Sequence, residues 1–204
     1  MKVFNTLLLL LFAGSVGAAT VTMINTGAIG APGYYLFNID NVPYALICDQ
    51  FVPNVATGPY TATVSTLSDI SLTYLSFQND PNALRKYQWV GMLVAMAFAD
   101  PTNIQLATDV TWANRRIVDG AGPLPGNAHT LYDFVLTQDP IAYDLSGFRI
   151  YTATPNPLIS QEQTGFFVSS TGESDVPEPS MIVLFGLGIA GITIRRLFHT
   201  RKML

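Results

Sequence analysis

The sequence predicts an α+β protein: a β-rich domain with a helical insert of two to three helices, plus an N-terminal signal peptide and a C-terminal single transmembrane helix. Three observations predict it. Short apolar runs separated by turn residues fill the stretch from Thr20 to Phe77. The pattern turns helical after the Asp80-Pro81 pair and stays so until Pro140. Both ends carry uncharged apolar segments next to basic residues.

The elements follow in chain order. Met1-Lys2, the apolar stretch Leu7 to Ala13 and the small residues Gly14 to Ala19 read as a signal peptide over residues 1–19. Cleavage is expected after Ala18, with Val16 and Ala18 in the recognition positions, or after Ala19. The exported domain is expected over 20–168. Tyr34-Tyr35-Leu36-Phe37 and Tyr44-Ala45-Leu46-Ile47 are strand-like runs, separated by a hairpin turn at Asn38-Ile39-Asp40-Asn41. Tyr60 to Ser65 alternates as a strand after the break at Gly58-Pro59.

Asp80-Pro81 and Asp100-Pro101 each place a capping carboxylate before a proline suited to a first helical turn. Helices are expected near 81–99, 102–118 and 128–137. In the second, Leu106, Val110, Ala113 and Ile117 share one face, and Gly120 stops it. Asn127 caps the third. Gly147 to Ala153 reads as a returning strand and Gln163 to Val168 as the last. A polar linker follows over 169–176. Residues 177–204 then hold an apolar helix near 180–198 and a basic tail. Met181 to Ile194 is uncharged but short of the roughly 20 residues of a full span. The membrane-flanking bases Arg195 and Arg196 snorkel and lengthen it, and with Arg201 and Lys202 they hold that end on the cytoplasmic side.

Charge and composition exclude several classes. All 14 carboxylates lie between Asp40 and Glu178, where five cations leave a net charge of −9. A body of that sign does not bind a phosphate backbone, so no nucleic-acid partner is expected. One Cys excludes an internal disulfide framework and a multi-Cys zinc site. His129 is alone in the exported body and reads as a surface residue near a helix start. Asp133, Asp139 and Asp144 sit near turns and helix ends, where Asp caps or is solvated. Glu162 is the single Glu between the leader and the linker, and no glycosidase-like pair stands out. No Asp-x-Asp-x-Asp-Gly calcium loop is present. No cofactor, metal or enzyme activity is expected. Trp89 reads as core, while Tyr34, Tyr35 and Tyr60 are open between core packing and stacking on sugar rings.

The tail resembles the PEP-CTERM sorting signal. Pro177-Glu178-Pro179, a glycine-bearing apolar helix and a terminal basic cluster occur in that order over about the last 30 residues. The resemblance implies a Gram-negative bacterial protein cut near Pro177, Glu178 and Pro179 by an exosortase, its processing partner. It also implies an association with exopolysaccharide, biofilm and floc formation. The body resembles an uncharacterised group of PEP-CTERM proteins through Leu46 to Phe51, Tyr60-Thr61-Ala62 and Arg149 to Thr152. That likeness adds no established activity.

Cys48 is the possible reactive thiol. It ends an apolar strand-like run and precedes Asp49. One reading is a buried inert thiol, another an intermolecular disulfide. The third is an internal thioester with a Gln side chain, resembling some bacterial surface adhesins. Their Gln-x-x-x-Trp-like helix suggests Gln105, but Asp109 then stands where Trp is wanted, and alignment on Trp112 puts Thr108 at the Gln position. The expectation is thus an exported cell-surface or extracellular-matrix protein, structural or adhesive in the exopolysaccharide layer, with the inner membrane a transient anchor. The alternatives are an envelope enzyme acting on polysaccharide and a thioester-type adhesin using Cys48.

Overall fold

The computed structural model of the chain describes residues 19–29, 32–50, 54–56 and 58–166. Six strands form the frame: β1 (Ala19–Ile29), β2 (Tyr34–Ile39), β3 (Val42–Cys48), β4 (Tyr60–Ser65), β5 (Phe148–Ala153) and β6 (Gln163–Phe166). They close into an antiparallel barrel in the order β1-β2-β3-β6-β5-β4. Closure removes the exposed edges that an open sheet of this size would present.

β1 makes the closure possible. Its first half pairs with β4, Ala19 opposite Val64 through Met23 opposite Tyr60, and its second half pairs with β2. A bulge between Asn25 and Gly27 shifts the register there and bends the strand from one neighbour towards the other. The β2–β3 hairpin turns on Asp40 and Asn41, both left-handed at φ 49° and 69°. That is the geometry a two-residue hairpin loop requires, and Asp and Asn tolerate it.

Between β4 and β5 the chain inserts α1 (Tyr74–Phe77), α2 (Ala83–Ala99), α3 (Ile104–Asp119), α4 (Ala128–Leu136) and a short 3-10 turn at Pro140–Ala142. Strand alternation splits the core in two. Phe37, Ile39, Leu46 and Tyr151 join Met23 and Ala62 inside the barrel. Tyr34, Ile47, Phe148, Ile150 and Phe166 point the other way and pack with Tyr87, Val90, Leu93, Val94, Val110, Ala113 and Ile117 from the helices. Burying each large apolar side chain contributes about 1.5–3 kcal/mol before the entropy of ordering is counted.

The β-rich domain and its helical insert are as expected, and the details differ in instructive places. The expected caps Asp80 and Asp100 sit ahead of the helices. Asp80 accepts from the Asn82 N–H at 2.7 Å and pairs with Lys86 at 2.8 Å, so it makes the turn before α2. Asp100 accepts the Thr102 hydroxyl, and α3 is capped instead by Asn103, whose side chain accepts from Leu106 N–H at 3.0 Å. Asn127 stands at the N-cap position of α4 without a side-chain capping bond. Gly120 ends α3 in the left-handed conformation, φ 69°. Tyr74–Phe77 is one helical turn, not strand, because Thr73 bonds back to Ile70 and Phe77 N–H reaches the Thr73 carbonyl. Trp89 is half-buried against the helical core under the Arg85 guanidinium, 5.4 Å away.

The leader through residue 18, the linker, the sorting segment and the transmembrane helix near 180–198 lie outside the described residues. Among the described residues, no helix is long and apolar enough to cross a membrane.

Candidate functional site

β3 and β6 are neighbours, with Ile47 opposite Thr164 and Cys48 opposite Gln163. The ladder runs on past the named strands through Asp49 N–H to the Glu162 carbonyl. Two consecutive residues on each side therefore meet at one end of the barrel, and alternation sends them to opposite faces. Cys48 and Gln161 share the face of Leu46. Asp49 and Glu162 share the face of Ile47, beneath the helices.

On the first face, Cys48 Sγ lies 2.7 Å from Gln161 Oε1. The same sulfur stands 3.3 Å from the Gln50 carbonyl oxygen, an ordinary separation for a weak S–H donor. The contact with Gln161 is far closer. In a thioester the sulfur and the carbonyl oxygen share one trigonal carbon and stand about 2.6 Å apart, given the ordinary C=O bond length. Cys48 is fully buried, and burial pushes its thiol up to about 12 against the pull of the Arg115 guanidinium. Arg115 also hydrogen-bonds the Tyr35 hydroxyl, lowering a pKa that burial raises. A groove of about 470 Å³ reaches Gln161 from outside, lined also by Tyr35, Asn54, Val55, Trp112 and Arg115. The Arg115 guanidinium lies 5.6 Å from the centre of the Trp112 ring.

On the second face, Glu162 is surrounded by donors. Its Oε1 accepts the Tyr87 hydroxyl at 2.5 Å. Its Oε2 accepts the Tyr74 N–H at 2.9 Å and the Thr152 hydroxyl. Asp49 hydrogen-bonds the same carboxylate, and apart from its own backbone N–H no N–H or hydroxyl among the described residues bonds either Asp49 oxygen. Two carboxyl groups hydrogen-bond each other only through a proton, and Asp49 is the one with fewer other donors around it. Burial first, and the Glu162 charge second, hold Asp49 well above the usual carboxylate range. Burial raises Glu162 as well, and its hydrogen bonds from Thr152, Tyr87, Tyr74 and Asp49 oppose the rise. Neither carboxyl lines the groove.

The structure redistributes the residues the sequence singled out. Cys48 is buried, as one reading of it required. Gln105 does not meet it. Gln105 bonds Asp109 at 3.0 Å on α3, and the Thr108 hydroxyl bonds back to the Ile104 carbonyl. Trp112, the helix landmark, lines the groove. His129 is exposed and pairs with Asp133 one turn along α4 at 2.9 Å. Asp139 and Asp144 accept from the N–H groups of Ile141 and Ser146, ordinary turn contacts. Tyr34 is core, its hydroxyl bonded to the Ala97 carbonyl at 2.7 Å. Tyr60 packs edge-on to Phe37 at the barrel interior. Tyr35 alone of the three reaches the groove. Among the described residues, no group of three His, Cys, Asp or Glu is placed to hold a metal. Gln161, Arg115 and the Asp49–Glu162 pair are the site residues that sequence reasoning passed over.

Fold and site together define a barrel module with a helical cap and a buried Cys–Gln contact beside an open groove. The rest of the assignment lies further along the chain. Residues 175–197 match the PEP-CTERM protein-sorting motif, so the chain carries that sorting motif near its C-terminal end. The match takes in Pro177, Glu178, Pro179, Arg195 and Arg196 and ends before Arg201 and Lys202. The motif marks an exosortase-processed protein on a membrane-anchored export route towards the cell surface. No curated protein and no solved structure matches the chain.

Proposed function

We propose that the protein is an adhesive component of the extracellular exopolysaccharide layer, and that its reactive centre is a thioester between Cys48 and Gln161. The observation that carries this reading is the 2.7 Å contact between Cys48 Sγ and Gln161 Oε1. The bond forms when the sulfur attacks Gln161 Cδ. A C–S bond is made, the C–N bond breaks, and the nitrogen leaves as ammonia with the thiol hydrogen. Arg115, beside the sulfur, favours the thiolate character that the attack needs. Burial of Cys48 keeps water from the finished bond until a partner enters along the groove.

The sorting motif supports the setting, since it takes the protein outward where a covalent adhesin would act. Exit through the N-terminal signal peptide, cut after Ala18 or Ala19, belongs to the same reading. Burial of Cys48 counts against the intermolecular disulfide. The envelope-enzyme alternative needs two carboxyls facing a cleft. Asp49 and Glu162 are 0% and 1% exposed under the helices, which favours the adhesin.

The test is the intact mass of the secreted protein, unfolded without reductant and treated with a thiol alkylator. The expected result is a mass short by one ammonia and no alkylation, with Cys48→Ala and Gln161→Ala each restoring the sequence mass. A full sequence mass with one alkylated thiol in the wild type would sink the proposal.

A further inference from the structure

We infer that the groove beside Gln161 is a binding site for an acidic carbohydrate, a glycan bearing uronate carboxylates, and that a hydroxyl of this glycan takes the Gln161 acyl group. The acyl-transfer half rests on the thioester reading above, while the binding half stands without it.

Four features of the groove select this ligand. Its volume of about 470 Å³ suits an oligosaccharide of a few rings; small-molecule sites run to about 300–1,000 Å³. Trp112 and Tyr35 present half-buried aromatic rings, the surfaces on which the C–H faces of sugar rings stack. Asn54 offers an amide that both donates to and accepts from hydroxyl groups. Arg115 lines the groove and, beside its hydrogen bonds to Tyr35 and Cys48, supplies a positive charge there that attracts a carboxylate. Among the described residues, the groove lining includes no Asp, Glu, Lys or His. Among the described lining residues an ammonium group would meet a like charge at Arg115, whereas a uronate meets an opposite one. The groove is therefore built against amines and for acids, although the body as a whole is acidic.

The transfer balances as a simple exchange. The glycan oxygen bonds to Gln161 Cδ, the Cδ–S bond breaks, and the hydroxyl hydrogen passes to the Cys48 sulfur. The products are an ester at Gln161 and a free thiol.

The experiment uses the full chain in two forms. Cys48→Ala cannot make the thioester but keeps the groove. Titrated calorimetrically with trigalacturonate, it is expected to bind at least about tenfold more tightly than it binds maltotriose or cadaverine, as one charge-assisted contact allows. Trp112→Ala, on a half-exposed side chain, and Arg115→Gln are each expected to weaken uronate binding by about tenfold or more. Trp112→Ala keeps the test decisive where Arg115→Gln fails to fold. Equal binding of the three probes, or none, overturns the groove assignment. The wild type incubated with trigalacturonate is expected to gain its mass as a hydroxylamine-sensitive adduct at Gln161. A thioester that forms but gives no such adduct overturns the acyl transfer. Uronate binding by Cys48→Ala together with a wild type that never loses ammonia overturns the thioester and leaves the groove as a non-covalent glycan site.

Discussion

Asp49 and Glu162 each stand one residue from a member of the Cys48–Gln161 contact, on the opposite face of the same two strands. This placement ties the site to a buried proton. The folded state holds the Asp49 proton well above the range where an unfolded Asp releases it. Between those two pH values the folded state binds more protons, so stability falls as pH rises through the window. The expected outcome is a melting temperature highest near the ordinary carboxylate range and declining towards neutral and alkaline pH. Asp49→Asn replaces the shared proton with an amide hydrogen and should flatten the decline in thermal unfolding measured from pH 4 to 9. A parallel decline in wild type and variant would remove Asp49 as its cause. The Gln161 partner was not legible from residue type. A Gln in an irregular segment has no periodic signature, and the search for one followed the helix around Trp112. The signal lay in the strand alternation, which puts Gln161 and Gln163 on one side and Glu162 and Thr164 on the other.

Packing is tight at the short strand β6. A Cβ on Gly165 would lie 2.7 Å from Leu46 Cδ2, and Leu46 is fully buried. Gly165→Ala should therefore destabilise the domain by about 1–3 kcal/mol, the usual cost of overpacking, read by denaturant unfolding. An unchanged midpoint would mean Leu46 has room that the packing does not display. Helix α3 depends on its cap, and Asn103→Ala should cost about 1 kcal/mol in the same measurement, while Asp100→Ala should cost less. This is also where the sequence pattern misled. Asp-Pro announces a turn as well as a cap, and at both sites the polar side chain made the turn. Helix spans themselves were readable, because apolar spacing extends over several turns. The single turn α1 was not, because four residues carry no period and Tyr, Leu and Phe suit a strand equally well.

At the scale of the molecule, barrel closure could not be read from the chain. β6 sits between β3 and β5, and residues 66–147, mostly the helical insert, separate β4 from its partner β5; local turn chemistry fixes hairpins, not long-range pairings. The N-terminal boundary matters to that closure. β1 starts at Ala19, which pairs with Val64. A signal-peptide cut after Ala18 keeps that pair, and the secreted protein is expected to begin at Ala19 by N-terminal sequencing. At the other end, replacing Pro177, Glu178 and Pro179 by Ala should leave the basic tail through Lys202 on the protein in intact-mass analysis. Normal release of that variant would count against cleavage near the motif.

The place of Gln161 just ahead of β6 has a mechanical consequence. In the proposed adhesin, a partner joined at Gln161 and the chain continuing beyond Phe166 are fastened to the same short stretch. The covalent path between them is residues 161–166, which include β6. In the proposed adhesin, the β2–β3 hairpin and the helical cap lie outside this covalent path, while β6 carries it held by its pairing with β3 and β5.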